Sequence, residues 1–148
     1  MSDASAVKLG KMIEYNTSIV ELYLHWNQIK AQGGNAIING LSSNRTLRVL
    51  DLSWNSLGLH QSNFAKTFAE YIAENKTLLH LDLSNNYFCK EDCKVISEGL
   101  NNNHTLYGFH FHGNIGYVDA KGFLIIPEDY YQSSMSQHII PPINGKFL

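Results

Sequence analysis

The sequence predicts an α/β solenoid built from tandem units of one short strand and one helix. One pattern, L-x-x-L-x-L-x-x-N-x-L, fits four eleven-residue segments that begin at Ile19, Leu47, Leu78 and Leu106, except that the last segment ends in Gly116. The asparagines of the pattern recur at intervals of 28, 31 and 28 residues, at Asn27, Asn55, Asn86 and Asn114. A fixed period of this size indicates a repeat architecture whose units stack to form one core.

Each repeated segment is predicted to form a strand with one buried face. Its fourth and sixth positions are apolar and alternate with other residues, which is the period-two pattern of a half-buried strand. We expect parallel strands at about residues 20–25, 48–53, 79–84 and 107–112. The buried side chains would be Leu22, Leu24, Leu50, Leu52, Leu81, Leu83, Phe109 and Phe111. The asparagine that follows each strand would turn the chain and bond backbone groups of its own turn and of the neighbouring one.

The chain between the strands is predicted to be helical. Leu41 and Ile37 stand three and seven positions before Asn44, and apolar residues have the same spacing before Asn75 and Asn103. Apolar residues four positions apart share one face of a helix. Each of these asparagines would end its helix and lead into the next strand. The three extra residues of the longest interval would lie in the loop near residues 58–63.

Both ends of the chain depart from the full repeat. The helical spacing before Asn16 predicts a helix near residues 2–15 with no strand before it, either a natural cap or part of a longer solenoid. The predicted organisation is residues 1–16, a capping helix or partial repeat; residues 17–116, four strands with intervening helices; and residues 117–148, a C-terminal cap and tail. Phe123, Leu124 and Ile125 would cover the end of the core, and the prolines and serines beyond them cannot extend the repeat.

The repeat resembles the leucine-rich repeats of the ribonuclease-inhibitor-like subclass, whose units of about 28 residues contain a helix. The resemblance covers about residues 6–116. It implies a right-handed solenoid with the parallel sheet on the concave side and the helices on the convex side. It also implies a protein-interaction module or scaffold that binds a protein partner through the concave sheet face, and not an enzyme.

Composition argues against several other classes. The formal net charge is −2 and the basic residues are scattered, whereas nucleic-acid-binding domains show a basic patch or stripe. The apolar runs are too short to span a bilayer. The first seven residues lack the basic start and apolar stretch of a secretory signal. Cys89 and Cys93 lie four apart on a predicted helix, where reduced thiols are expected, so the sequence favours a cytoplasmic protein.

The candidate site is the concave face, where equivalent side chains of neighbouring strands should form columns. Trp26 and Trp54 are adjacent in one column and are not needed for the core. Large exposed aromatic residues are typical anchors of protein interfaces; the alternative is that they pack on the loops and stiffen the turns. The predicted face comprises Tyr23, His25, Trp26, Arg48, Asp51, Ser53, Trp54, His80, Asp82, Asn85, His110 and His112.

Metal and catalytic sites are considered on the same face and not favoured. His110, His112, Asp82 and His80 could together supply zinc ligands, but no short-spaced cysteine and histidine motif supports this. Ser53 or Ser84, with His112 or His25 and with Asp82, could supply the residue types of a catalytic triad on the exposed face, but an open sheet offers no identifiable oxyanion donors. We therefore expect no catalytic residues, no metal, no cofactor and no small-molecule substrate.

Two alternative functions remain. Proteins with this kind of repeat include regulators of the cytoskeleton, such as actin-filament cappers, and activators of small GTPases. Four strands are few for a GTPase activator, and Arg48 is the one arginine on the presumed face. The other alternative is a purely structural fragment of a larger scaffold.

Overall fold

The computed structural model describes residues 1–60 and 62–127. In chain order the elements are α1 (Asp3–Tyr15), β1 (Glu21–Tyr23), α2 (Ala31–Ser43), β2 (Val49–Asp51), α3 (Phe64–Glu74), β3 (His80–Asp82), α4 (Lys90–Asn101), β4 (Gly108–His110), β5 (Tyr117–Val118) and β6 (Leu124–Ile125). Strands β1 to β4 form one parallel sheet in sequence order. This confirms the predicted α/β solenoid. None of the described helices is long and apolar enough to cross a membrane.

The strand register places equivalent repeat positions side by side. Leu22 pairs with Leu50, which pairs with Leu81, which pairs with Phe109. Each strand spans three residues, fewer than predicted, but the interstrand hydrogen bonds continue beyond these bounds. For example, the Arg48 amide donates to the carbonyl of Val20, and strand-like bonds persist to the turn after each strand.

The core lies between the sheet and the helices. Leu50, Leu52, Leu81, Leu83 and Phe111 are fully buried or nearly so, as predicted. Leu22 and Phe109 are half-buried, because they belong to the outer strands and have a neighbouring strand on one side only. From the helices, the predicted apolar faces contribute the fully buried side chains Ile37, Phe68, Ile72 and Ile96.

The asparagines that follow the strands tie each repeat to the one before it. The Asn55 amide donates to the carbonyls of Leu52 and Ser53 in its own turn and to the carbonyl of Leu24 in the preceding repeat, at 2.9–3.1 Å. Its Oδ1 accepts from the Ile29 amide at 3.0 Å. Asn86 and Asn114 repeat this arrangement in the next two turns. This is the structural role that the sequence pattern predicts for them.

The helices end at or beside the second set of predicted asparagines. Asn16, Asn44 and Asn75 directly follow α1, α2 and α3, whereas α4 ends at Asn101, one residue earlier than the pattern predicts. The three-residue insertion lies between Leu57 and Phe64, as expected, because α3 starts farther from its strand than α2 and α4 do from theirs.

Past β4, the strands β5 and β6 form an antiparallel hairpin that covers the last repeat. Leu124 is buried in the core, whereas Phe123, predicted to join it, is 54% exposed. The alternation along a strand explains the difference, since adjacent side chains point to opposite faces. The expectation for the serines and for Pro141 and Pro142 lies outside the described residues.

Replacing Leu52 by alanine should lower the free energy of unfolding by about 2–5 kcal/mol, because the buried leucine leaves a cavity between sheet and helices. Thermal or urea denaturation measures the loss. Val20→Ala is the matched control, since Val20 is 49% exposed and directly precedes β1. Equal stabilities of the two variants would contradict the register.

Candidate functional site

The concave face is formed by rows of side chains that cross the sheet at equivalent positions. The register aligns Tyr23, Asp51, Asp82 and His110 in one such row, and Glu21, Val49, His80 and Gly108 in another. Gly108 leaves room for its neighbour, because a Cβ there would lie 2.4 Å from the His80 ring. The sheet thus aligns five of the twelve predicted face residues, namely Tyr23, Asp51, His80, Asp82 and His110.

Arg48 is not part of this face, so the prediction for it is wrong. It has the same alternation as the buried Leu50, two positions later, and therefore starts on the helix side of the sheet. Its guanidinium donates to the carbonyl of Thr77 at 2.8 Å and lines a groove between α2 and α3. The residue of this repeat that takes the expected position is Val49.

Trp26 and Trp54 stack on each other at the rim of the concave face. Their ring centroids are 4.3 Å apart and the ring planes differ by 7°. Trp26 is 69% exposed and Trp54 is 45% exposed. The predicted contact between the two rings is present, and it leaves an apolar edge and an outer ring face open to solvent.

Both tryptophans adopt a left-handed backbone conformation. Each has φ 54°, and the equivalent residues Asn85 and Gly113 have φ 56° and 76°. Asparagine and glycine adopt this region readily, whereas a bulky side chain there costs about 1 kcal/mol. Backbone bonds hold the turn in place: the Trp54 amide donates to the carbonyl of Ser84 at 2.9 Å. The turn geometry alone would therefore favour asparagine or glycine.

The acidic residues of the face are partly satisfied by the turns that follow them. Asp51 Oδ1 accepts from the amide and the hydroxyl of Ser53 at 2.9 and 2.7 Å, and Asp51 Oδ2 lies 3.0 Å from His25 Nδ1. Asp82 Oδ1 accepts from the Ser84 amide at 2.8 Å. Ser53 and Ser84, predicted to be exposed, are buried because they close these turns, so they add little to the contact surface.

Two further polar pairs lie on the face. The hydroxyl of Tyr23 donates to Glu21 at 2.6 Å, and this bond raises the pKa of Tyr23. His80 and His110 meet across β3 and β4 with their Nε2 atoms 2.9 Å apart, so one ring donates to the other. Within the described chain no three histidine, cysteine, aspartate or glutamate side chains cluster in a way that could hold a metal.

The two cysteines are free and poorly suited to nucleophilic chemistry. Burial raises the pKa of the Cys93 thiol to about 11 and also raises that of Cys89. A thiol is a weak nucleophile until it ionises. At neutral pH both side chains are therefore protonated.

The sequence patterns missed the groove between α2 and α3. One feature of the sequence could have indicated the groove: the residue type at the helix position four residues before Asn44, Asn75 and Asn103. It holds glycine in α2 (Gly40) and in α4 (Gly99), but tyrosine in α3 (Tyr71). A bulky residue at a position of small ones indicates a local change in helix packing.

The repeats are similar to those of known proteins. Residues 15–37, 43–59 and 74–88 match the family model described as Leucine Rich repeat. Over 71 residues the chain is 35% identical to Leucine-rich repeat-containing protein 45 of Gallus gallus, which covers 48% of this chain and 10% of that protein. A solved structure, Leiomodin-1 Actin-Binding Site 2 (ABS2), superimposes with a TM-score of 0.68 and 23% identity over 76% of this chain and 64% of that chain.

These comparisons identify leucine-rich repeats in the chain and agree with its fold, an α/β leucine-rich-repeat solenoid. The chain spans about a tenth of the length of the Gallus gallus protein and less than two thirds of the leiomodin domain.

Replacing both Trp26 and Trp54 by asparagine should change the free energy of unfolding by less than about 1 kcal/mol, or raise it, because asparagine suits the left-handed turn and the rings are largely exposed. Chemical denaturation measures the change. Leu52→Ala serves as the destabilised reference. A loss of more than about 3 kcal/mol would mean that the tryptophans are required by the fold.

Proposed function

We propose that this leucine-rich-repeat solenoid is a protein-interaction module that docks its partner on the concave face. The stacked pair Trp26 and Trp54 carries the proposal. The two rings are held in a backbone conformation that tryptophan adopts at a cost, and they remain exposed to solvent. A strained and exposed aromatic pair is better explained by contact with another molecule than by packing of the chain itself.

The charges of the face favour a basic or amphipathic partner segment. Both carboxylate oxygens of Asp51 have partners, in Ser53 and His25. Asp82 Oδ1 accepts from Ser84, whereas Asp82 Oδ2 has no hydrogen-bond partner in the part of the chain that the structure describes. Asp82 lies directly beside Asp51 in the register. A lysine or arginine of the partner would relieve the repulsion between the two carboxylates and make the association rate sensitive to salt.

Affinity for a purified partner tests this site. A candidate partner is obtained by pull-down with the parent chain and with the double variant Trp26→Ala/Trp54→Ala. Trp54→Ala should then weaken binding by about 2 kcal/mol or more, as truncation of an aromatic anchor does. Asp82→Asn should mainly slow association and reduce its salt dependence.

Lys66→Ala is the control, since Lys66 is exposed on α3, on the opposite side of the sheet. If this control weakens binding more than the two concave variants do, the partner uses the convex side and the proposed site is wrong. If none of the three variants changes the affinity, the partner binds another surface and the proposed site is also wrong.

The finer classification is part of the same proposal. The short helices of 11–13 residues and the interval of about 28 residues support the ribonuclease-inhibitor-like subclass. Free thiols support a cytoplasmic location. The absence of Arg48 from the concave face weakens the GTPase-activator alternative, which had no other arginine to offer on that face.

Actin binding is the second candidate function. The solved structure with a similar fold is an actin-binding site of leiomodin-1, and at 23% identity that similarity concerns the fold alone. Co-sedimentation with actin filaments, and a pointed-end elongation assay, test the candidate directly. Binding that survives Trp54→Ala would place actin on a different surface from the proposed partner site.

The purified protein should contain no stoichiometric metal, because the His80 and His110 pair lacks a third ligand among the described residues. It should also show no hydrolase activity. Elemental analysis after dialysis checks the metal content. Zinc near one equivalent that disappears on replacing both His110 and His112 would overturn this expectation.

A further inference from the structure

A groove opens on the convex side, between the C-terminal halves of α2 and α3, and encloses about 780 Å³. Its apolar lining comes from Ile38 and Leu41 on α2 and from Tyr71 on α3. It lies across the solenoid from the tryptophan pair. It is therefore separate from the concave face.

The groove exists where two helices are kept apart, whereas the flanking helix pairs touch. A Cβ on Gly40 of α2 would lie 2.2 Å from the Gly10 carbonyl oxygen of α1, and a Cβ on Gly99 of α4 would lie 2.6 Å from the Ala69 carbonyl oxygen of α3. Backbones therefore meet directly at both of these helix contacts. At the equivalent position of α3, Tyr71 presents a phenol to α2, and the two helices cannot approach in the same way.

The hydrogen bonds that link the helix ends are interrupted at the same place. Asn44 donates to the carbonyls of Ile13 and Asn16 in the preceding repeat, and Asn103 does the same to the carbonyls of Ile72 and Asn75. Asn75 instead donates to the carbonyl of Leu78, three residues later, at 2.9 Å. The separation of α2 and α3 therefore coincides with the loss of the asparagine bonds that link neighbouring helix ends elsewhere.

The rim of the groove carries charges of both signs that do not neutralise each other. Arg45, Arg48 and Lys76 lie on one part, and Glu70 and Glu74 lie on α3. No salt bridge joins any of these five side chains to another described residue. Charges that are close together, unpaired and arranged around an apolar floor are complementary to a segment that brings the opposite charges in the same order.

The two arginines are oriented for such a ligand. Arg45 donates through one nitrogen to the carbonyls of Ser42 and Asn44, and Arg48 donates through one nitrogen to the carbonyl of Thr77. A guanidinium has five N–H donors, so each keeps further donors for a carboxylate while its position is fixed.

We propose that the α2–α3 groove is a second binding site, which takes a short peptide segment of a partner protein that carries both an acidic and a basic residue. The acidic residue binds Arg45 and Arg48, an apolar side chain covers Tyr71, and the basic residue binds the carboxylates of α3. Tyr71 is the residue that creates the site, because glycine at its position would let the helices close.

Peptide selection on the full 148-residue chain tests the site. A phage-displayed library of random peptides is selected on the parent chain after depletion on Tyr71→Gly. The enriched sequences should contain one acidic and one basic residue around an apolar one. Calorimetry with the synthetic peptides should give about tenfold weaker binding for Arg48→Met and for Glu74→Gln, since each removes a charged hydrogen bond.

Two control variants test whether the peptides bind in the groove and not elsewhere. Lys66→Ala, an exposed change on the same helix but outside the groove, and Trp54→Ala, on the concave face, should both leave the affinity of these peptides unchanged. Glu74→Lys should recover binding to a peptide whose basic residue is replaced by glutamate.

The proposal is overturned if no peptide is enriched, if the enriched peptides carry charge of one sign only, or if Trp54→Ala abolishes their binding. It is also overturned if Arg48→Met and Glu74→Gln bind like the parent chain. These two surface variants decide the matter even where Tyr71→Gly fails to fold, in which case the depletion step uses Arg48→Met.

Discussion

The asparagine after each strand is the interaction on which the rest of the structure depends. One side-chain amide bonds two carbonyls of its own turn and one carbonyl of the preceding repeat, while its oxygen accepts from a backbone amide. Buried backbone amides and carbonyls that lack hydrogen-bond partners raise the free energy of the folded state. The turn after each strand leaves several such groups, because they are no longer paired within the sheet. The same residue type stands in all four turns, and at Asn55, Asn86 and Asn114 it also bonds the preceding repeat and thereby fixes the spacing between repeats.

That fixed spacing converts sequence periodicity into surface geometry. Because every turn has the same shape, the residue just before the asparagine occupies the same left-handed position in each repeat. Two tryptophans at that position are brought face to face without any interaction having to align them. The left-handed backbone of each tryptophan costs free energy, and the hydrogen bonds of the turn offset this cost. These bonds are part of the fold and are independent of the binding surface.

The fold was predictable because each repeat restates the same local rules. Strand alternation, helix faces and both sets of asparagines were readable from single positions, and the register made the contact between Trp26 and Trp54 predictable too. The position of Arg48 is hard to predict, because its charge favours an exposed position whereas its alternation with Leu50 favours the helix side of the sheet. The burial of Ser53 depends on a hydrogen bond to Asp51, and the open groove depends on how Tyr71 changes the packing of two helices. The Ser53 bond lies within one repeat but is not shown by the alternation of apolar and polar residues, and the groove depends on contacts between neighbouring helices.

The interrupted bond at Asn75 has a consequence for how the molecule holds its shape. A solenoid is held together by nearest-neighbour interfaces, and its cooperativity depends on the weakest of them. Between α2 and α3 the sheet is continuous, whereas the C-terminal halves of the two helices diverge around the groove. We expect bending of the solenoid to concentrate at the place where α2 and α3 diverge, because fewer interactions join neighbouring repeats there. A segment bound in the groove would then also influence the curvature of the sheet.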